Sequence, residues 1–124
     1  MSKGLRTTFL IHAIVAFAFG IVFYLIPGIW AGLVQWTPFD AAITRLMGAA
    51  MLAIGASSWL GYRAESWKEV RITVQMEIVF TVAGALIGLY AFFFAGGPLF
   101  IWVPIITMVV FAVLWIYFYR QEKS

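Results

Sequence analysis

Four apolar stretches, Thr7–Ile26, Ala41–Tyr62, Ile72–Phe94 and Leu99–Tyr119, each reach the roughly 20 residues a helix needs to cross a hydrocarbon core of about 30 Å. Nothing else in the chain constrains its fold as strongly. The four stretches use nearly all of the 124 residues, which predicts one membrane domain over residues 1–124 and no separate soluble domain. The fold class expected is all-α, a bundle of four transmembrane helices. Composition agrees: 65% of residues are hydrophobic and 10% charged, with a mean hydropathy of +1.02, where soluble domains are about half apolar and a quarter charged. The first stretch is too long for a signal-peptide core. Pro27-Gly28 and Trp30 follow it rather than a small-x-small cleavage site, so it is expected to be retained. Cysteine is absent, which excludes disulfides, thiolate metal sites and cysteine chemistry.

The charges orient the bundle. Lys3 and Arg6, then Arg63, Lys68 and Arg71, then Arg120 and Lys123 fall on one side, while connections 27–40 and 95–98 carry no Lys or Arg. The positive-inside rule then places both termini and the middle loop in the cytoplasm, with the protein multi-pass in the cell membrane. The net charge of +3 is no nucleic-acid signature, because the basic residues sit at membrane edges. Between the first two helices, IWAGLVQWTPF reads as an interfacial loop broken by Gly and Pro, with Trp30 and Trp36 at headgroup level. Asp40 is the expected N-cap of the second helix. Gly96 and Gly97 end the third, Pro98 starts the fourth, and Pro104 either kinks that helix or marks its true start. Trp115, Tyr117 and Tyr119 read as an aromatic belt at its end.

Polar residues inside the apolar stretches are the candidates for function. Glu77 lies in the third, and Thr81, Gly84 and Gly88 follow it at +4, +7 and +11 on one helix face. In the first, His12 shares a stripe with Ala16, Gly20 and Tyr24. A rise of 1.5 Å per residue puts His12 and Glu77 at similar depth, roughly 7 Å in, with Ser57 and Ser58 at nearly the same height. Offsetting the chain by 65 aligns Thr8 with Thr73 and His12 with Glu77, although the glycines do not hold that register. Three readings follow. His12 and Glu77, with a serine nearby, form a cytoplasm-facing site for a proton, a cation or a polar headgroup. Alternatively they make a structural interhelical hydrogen bond, worth about 0.6–2 kcal/mol. In the third, Glu77 snorkels to the interface or pairs with Arg71 or Lys68.

Arg45 lies about one turn inside the second helix, on a face with Gly48, Leu52 and Gly55. It reads as an anion or headgroup clamp, with Asp40, Gln35, Tyr24 or a lipid phosphate as partner, or as an anchor that snorkels outward. Gly20, Gly48, Gly55, Gly84 and Gly88 are the expected points of close helix packing. The run LIPGIWAGLVQWTPFDAAITRLMGAAMLAIGASSW, with Asp40 as acidic cap and then Arg45, Gly48 and Gly55 as Arg-x-x-Gly-x(6)-Gly, resembles small four-helix membrane proteins of the DoxX-like kind. The resemblance covers about a third of the chain. It implies a four-helix bundle, and the Cys redox motifs of some relatives are missing.

No Gly-rich phosphate loop, HExxH pattern, Ser-His-Asp set or metal-ligand spacing is present, and nothing in the spacing demands enzymatic chemistry. No cofactor and no metal are expected. A single histidine argues against haem, and abundant aromatics are ordinary in lipid-facing helices. Three classes of function remain. The first is a small interaction protein, either an accessory subunit of a membrane complex or a homo-oligomer. The second is a small-solute or proton-coupled transporter or channel working through Glu77 and His12. The third is a protein that binds lipid or another hydrophobic ligand, with Arg45 at the headgroup.

Overall fold

The computed structural model describes residues 1–124 and is all-helical. Helix α1 runs Lys3–Leu25, α2 Pro27–Val34, α3 Ala41–Arg63, α4 Trp67–Phe94 and α5 Trp102–Lys123, the last preceded by a 3-10 turn over Leu99–Ile101. Four of these are long and apolar enough to cross a membrane. The protein is therefore a small multi-pass membrane protein built as a helical bundle.

The helices outrun the apolar stretches at the charged end because local capping extends them. Ser2 caps α1 by accepting from the Leu5 N–H at 3.2 Å. At the start of α4, Glu69 reaches back to accept from the N–H of Ser66 at 3.1 Å and from its hydroxyl at 2.7 Å. The nine-residue hydrophilic loop expected there thus shrinks to residues 64–66. Asp40 caps α3 as expected, with Oδ1 accepting from the Ile43 N–H at 2.8 Å.

The segment after α1 is helix, not broken loop. Pro27 occupies the first position of α2, where its fixed φ and missing N–H suit a helix start, and Gln35 ends it in the left-handed region at φ 57°. Aromatic packing holds this short helix down: Trp30 lies 4.7 Å from Phe23 and 5.3 Å from Trp36, centroid to centroid. At the other turn, Gly96 takes φ +69° and the Gly97 N–H bonds back to the Ala91 carbonyl at 2.8 Å, closing α4. Pro104 falls in the first turn of α5, whose N–H groups have no partner within the helix, and so marks its true start.

The chain assembles as two tight pairs. Helix α1 packs along α3, and α4 along α5, while the pairs touch each other more lightly through α1 with α5 and α3 with α4. Glycine permits the first pairing. A Cβ on Gly48 would sit 2.6 Å from the Tyr24 backbone nitrogen and 3.0 Å from the Gly20 carbonyl oxygen, so the two backbones are in direct contact there. Gly55 faces the Phe17 ring, and Gly61 the Phe9 ring. In the second pair Gly84 meets Met108 and Gly88 meets Ile105. Between the pairs, at the end holding both termini and the 64–66 connection, Leu5, Phe9, Val70, Val74, Phe111 and Trp115 form the core. A hydrogen bond from the Ser2 backbone N–H to the Glu122 carboxylate joins the first and last helices at that end. Arg6 donates to the Tyr62 carbonyl at 3.1 Å, tying in α3.

Candidate functional site

The buried residues of α1 are Leu5, Thr8, Phe9, His12, Ala13, Ala16 and Gly20, a three–four repeat that defines one inward stripe. On α4 they are Val70, Val74, Glu77, Thr81, Ala85 and Gly88, again spaced by threes and fours. The inward face of α4 therefore passes through Ala85, and Gly84 lies on its flank towards α5. On α3 the stripe is Gly48, Met51, Gly55, Ser58 and Gly61. These three stripes bring His12, Ser58 and Glu77 together in the middle of the bundle.

His12 is the hub. Its Nδ1 lies 2.7 Å from the Ser58 hydroxyl on α3, and its Nε2 lies 3.6 Å from Oε2 of Glu77 on α4. From α5, Phe111 and Trp115 stand edge-on to the imidazole at 4.6 and 5.3 Å between centroids. One ring thus touches all three other long helices. Exposure is 4% for His12 and zero for both Ser58 and Glu77, so the arrangement is closed rather than the lining of an open cavity. The third sequence reading, in which Glu77 snorkels or pairs with Arg71 or Lys68, is excluded, because Glu77 is fully buried while those two residues are exposed.

The His12–Glu77 distance is too long for an N–H···O hydrogen bond, and the contact is an ion pair only when the imidazole is protonated. If the Ser58 hydroxyl donates to Nδ1, the ring proton sits on Nε2 and points to the carboxylate. If Nδ1–H donates to Ser58, Nε2 is a bare acceptor, and a hydrogen bond across the gap would need the carboxyl to be protonated. Neither carboxylate oxygen of Glu77 has a hydrogen-bond partner, and the same holds for Trp115 Nε1 and Ser57 Oγ, all of them buried. Each such buried polar group costs about 1–3 kcal/mol. Thr81, one turn beyond Glu77, spends its hydroxyl on the Glu77 backbone carbonyl at 2.7 Å and not on the carboxylate.

The two serines diverge. Ser58 joins the hub, whereas Ser57 turns away into a recess of about 470 Å³ between the end of α3 and the start of α4. Arg45 and Asp40 do not form a site together. Arg45 is exposed and makes no hydrogen bond or ion pair with Asp40, Gln35 or Tyr24, and the Asp40 carboxylate is occupied by its cap. Tyr24, expected in line with His12, is 48% exposed at the end of α1, beyond the buried part of the stripe.

Trp115 is the residue that sequence reading misplaced. It is not in a belt at the membrane edge but fully buried, 4.9 Å from Phe9 and stacked on Phe111 at 6.3 Å. The available signal was its spacing from Phe111 and Ala112, which sets all three on one face of α5. Comparison of the chain with family models, with curated proteins and with solved structures gives no match.

Proposed function

We propose that this is a single-domain interaction protein of the cell membrane, which works by associating with other membrane subunits or with itself. The observation that carries this reading is the outward face of α3. Ala42, Ala49, Ala53 and Ala56 recur along it at heptad-like spacing, and all four are exposed, as is Arg45 on the same side. α3 is also the least apolar of the four spans. Small side chains facing lipid gain little there, but they let a second helix approach closely. The closed core supports the same reading, since His12, Ser58 and Glu77 are buried and line no open cavity. The charge distribution supports an orientation with both termini and residues 64–66 in the cytoplasm.

Native mass spectrometry of the full chain, gently extracted from its own membrane, tests the function: a heteromeric or homo-oligomeric mass is expected, and a bare monomer refutes it. Orientation is checked by single cysteines in this cysteine-free chain. A thiol reagent that cannot cross the membrane should label Gly97→Cys in intact cells and reach Ser66→Cys only after lysis.

One observation favours a second reading, proton-linked transport by an oligomer. Glu77 is a buried carboxylate with no hydrogen bond to either oxygen, in contact with the lone histidine. Intramembrane ionisable residues so placed mark ion and proton pathways in many proteins. Glu77→Gln decides: under this reading proton-linked uptake into proteoliposomes is abolished while the fold survives, and under the first reading assembly is unchanged.

A further inference from the structure

The recess that holds Ser57 has a composition unlike the rest of the surface. Its wall contains Arg63 from the end of α3 and Glu69 from the first turn of α4, with Ser57, Thr73, Leu60 and Gly61 completing the side that faces away from the core. Arg63 and Glu69 border one space without pairing, since the only ion pair in the structure is His12–Glu77. Glu69 commits Oε1 to Ser66, and its Oε2 is free.

Two hydroxyls beside the recess are also unspent. Thr7, Thr8, Thr44, Thr81 and Thr107 all donate to the carbonyl four residues back. Thr73, although helical, makes no such bond. The Ser57 hydroxyl also has no partner, but it is itself buried and not open to the recess. A cation, an anion and the Thr73 hydroxyl therefore border a volume of about 470 Å³, within the range of small-molecule sites. At its rim Leu60 is 68% exposed, so one side of the recess is continuous with the apolar surface of α3.

We propose that this recess binds the headgroup of a phospholipid carrying a primary ammonium beside its phosphate. The phosphate oxygens accept from the Arg63 guanidinium and from the Thr73 hydroxyl, and the ammonium donates to Glu69 Oε2. The acyl chains leave along Leu60. A quaternary ammonium has no N–H to give Glu69, and a glycerol headgroup has no positive charge, so the site discriminates by chemistry and not by size alone. This site is separate from the α3 alanine face and does not depend on the proposed function.

The test is native mass spectrometry of the intact purified chain, supplied in turn with phosphatidylethanolamine, phosphatidylcholine and phosphatidylglycerol of matched acyl chains. Phosphatidylethanolamine should be retained about tenfold more than phosphatidylcholine, the equivalent of one charge-assisted hydrogen bond. Glu69→Gln keeps an acceptor for Ser66 and so keeps the start of α4. It should bring phosphatidylethanolamine down to the phosphatidylcholine level and leave phosphatidylglycerol unchanged, whereas Arg63→Gln should weaken all three. Both variants must match the parent in helicity and melting. Equal retention of ethanolamine and choline lipids, or retention unaffected by Glu69→Gln in a folded protein, overturns the proposal. Displacement of the lipid by millimolar free phosphoethanolamine would assign the site to a soluble ligand and overturn the lipid assignment.

Discussion

A double-mutant cycle on His12 and Glu77 measures what the hub contributes. Glu77→Leu leaves the imidazole Nε2 facing leucine in a core from which water is excluded, and His12→Leu strands the carboxyl and releases the Ser58 hydroxyl as well. If the contact is only one more interhelical hydrogen bond, the two residues should couple by about 0.6–1.7 kcal/mol. A buried ion pair broken from one side loses about 3–5 kcal/mol instead, while replacing both partners by apolar side chains is often neutral or better. The smaller figure is expected, because 3.6 Å is longer than a hydrogen bond and the contact is an ion pair only when His12 is protonated. His12→Leu should be the worse single change by about 1 kcal/mol, the net value of the Ser58 bond. The double variant should recover part of the loss, and adding Ser58→Ala should recover more. Unfolding in mild detergent, followed by tryptophan fluorescence, reads the result directly, since Trp115 packs 5.3 Å from the imidazole. A coupling within about 0.5 kcal/mol of additivity would refute the description of the pair as coupled.

Other perturbations separate close backbone packing from loose contact. Gly48→Ala should destabilise by about 1–3 kcal/mol more than Gly84→Ala in the same unfolding assay. The first methyl meets rigid backbone at 2.6 Å and the second meets the flexible end of Met108 at 3.1 Å, and the helix-propensity gain is common to both. Trp115→Ala should be the most damaging single truncation on α5, at about 3–5 kcal/mol, and should reduce the fluorescence change on unfolding, to which the other tryptophans still contribute. An unaltered melting temperature would return Trp115 to the membrane edge. Asp40→Ala should cost about 1 kcal/mol through the lost cap, with Asp40→Asn close to the parent; a large effect of the asparagine variant would show that the charge, and not the cap, matters there.

How much could be read in advance depended on whether the signal was local or relative. Span lengths, the Asp40 cap and the glycine contacts of α1 with α3 are carried by a few adjacent residues, and they emerged as expected. The meeting of His12, Ser58 and Glu77 was legible from depth alone, because three helices counted from one membrane edge place those residues at one level. Rotation of a helix about its axis was harder to read. An aliphatic helix in lipid is apolar all round, so hydrophobic periodicity no longer marks the inward face, and Trp115 was assigned to the membrane edge for that reason. The same loss of contrast hid α2, whose glycines suggested a break although Pro27 and the Trp30 contacts favour a helix. Ser57 and Ser58, neighbours in sequence, could not be told apart until the twist of α3 sent one to the hub and the other to the recess.

The division of the bundle into an α1–α3 pair and an α4–α5 pair has a consequence for biogenesis. His12 belongs to the first hairpin and Glu77 to the second, so each hairpin enters the bilayer carrying a polar side chain whose partner is on the other. The first hairpin can satisfy its histidine provisionally through Ser58, which lies on its own second helix, but the second has no equivalent for Glu77. An ionisable side chain at such a position costs the inserting helix about 2.5–3.5 kcal/mol. Joining of the hairpins removes that cost by burying Glu77 completely against His12, so docking of the two halves is favoured once both have inserted.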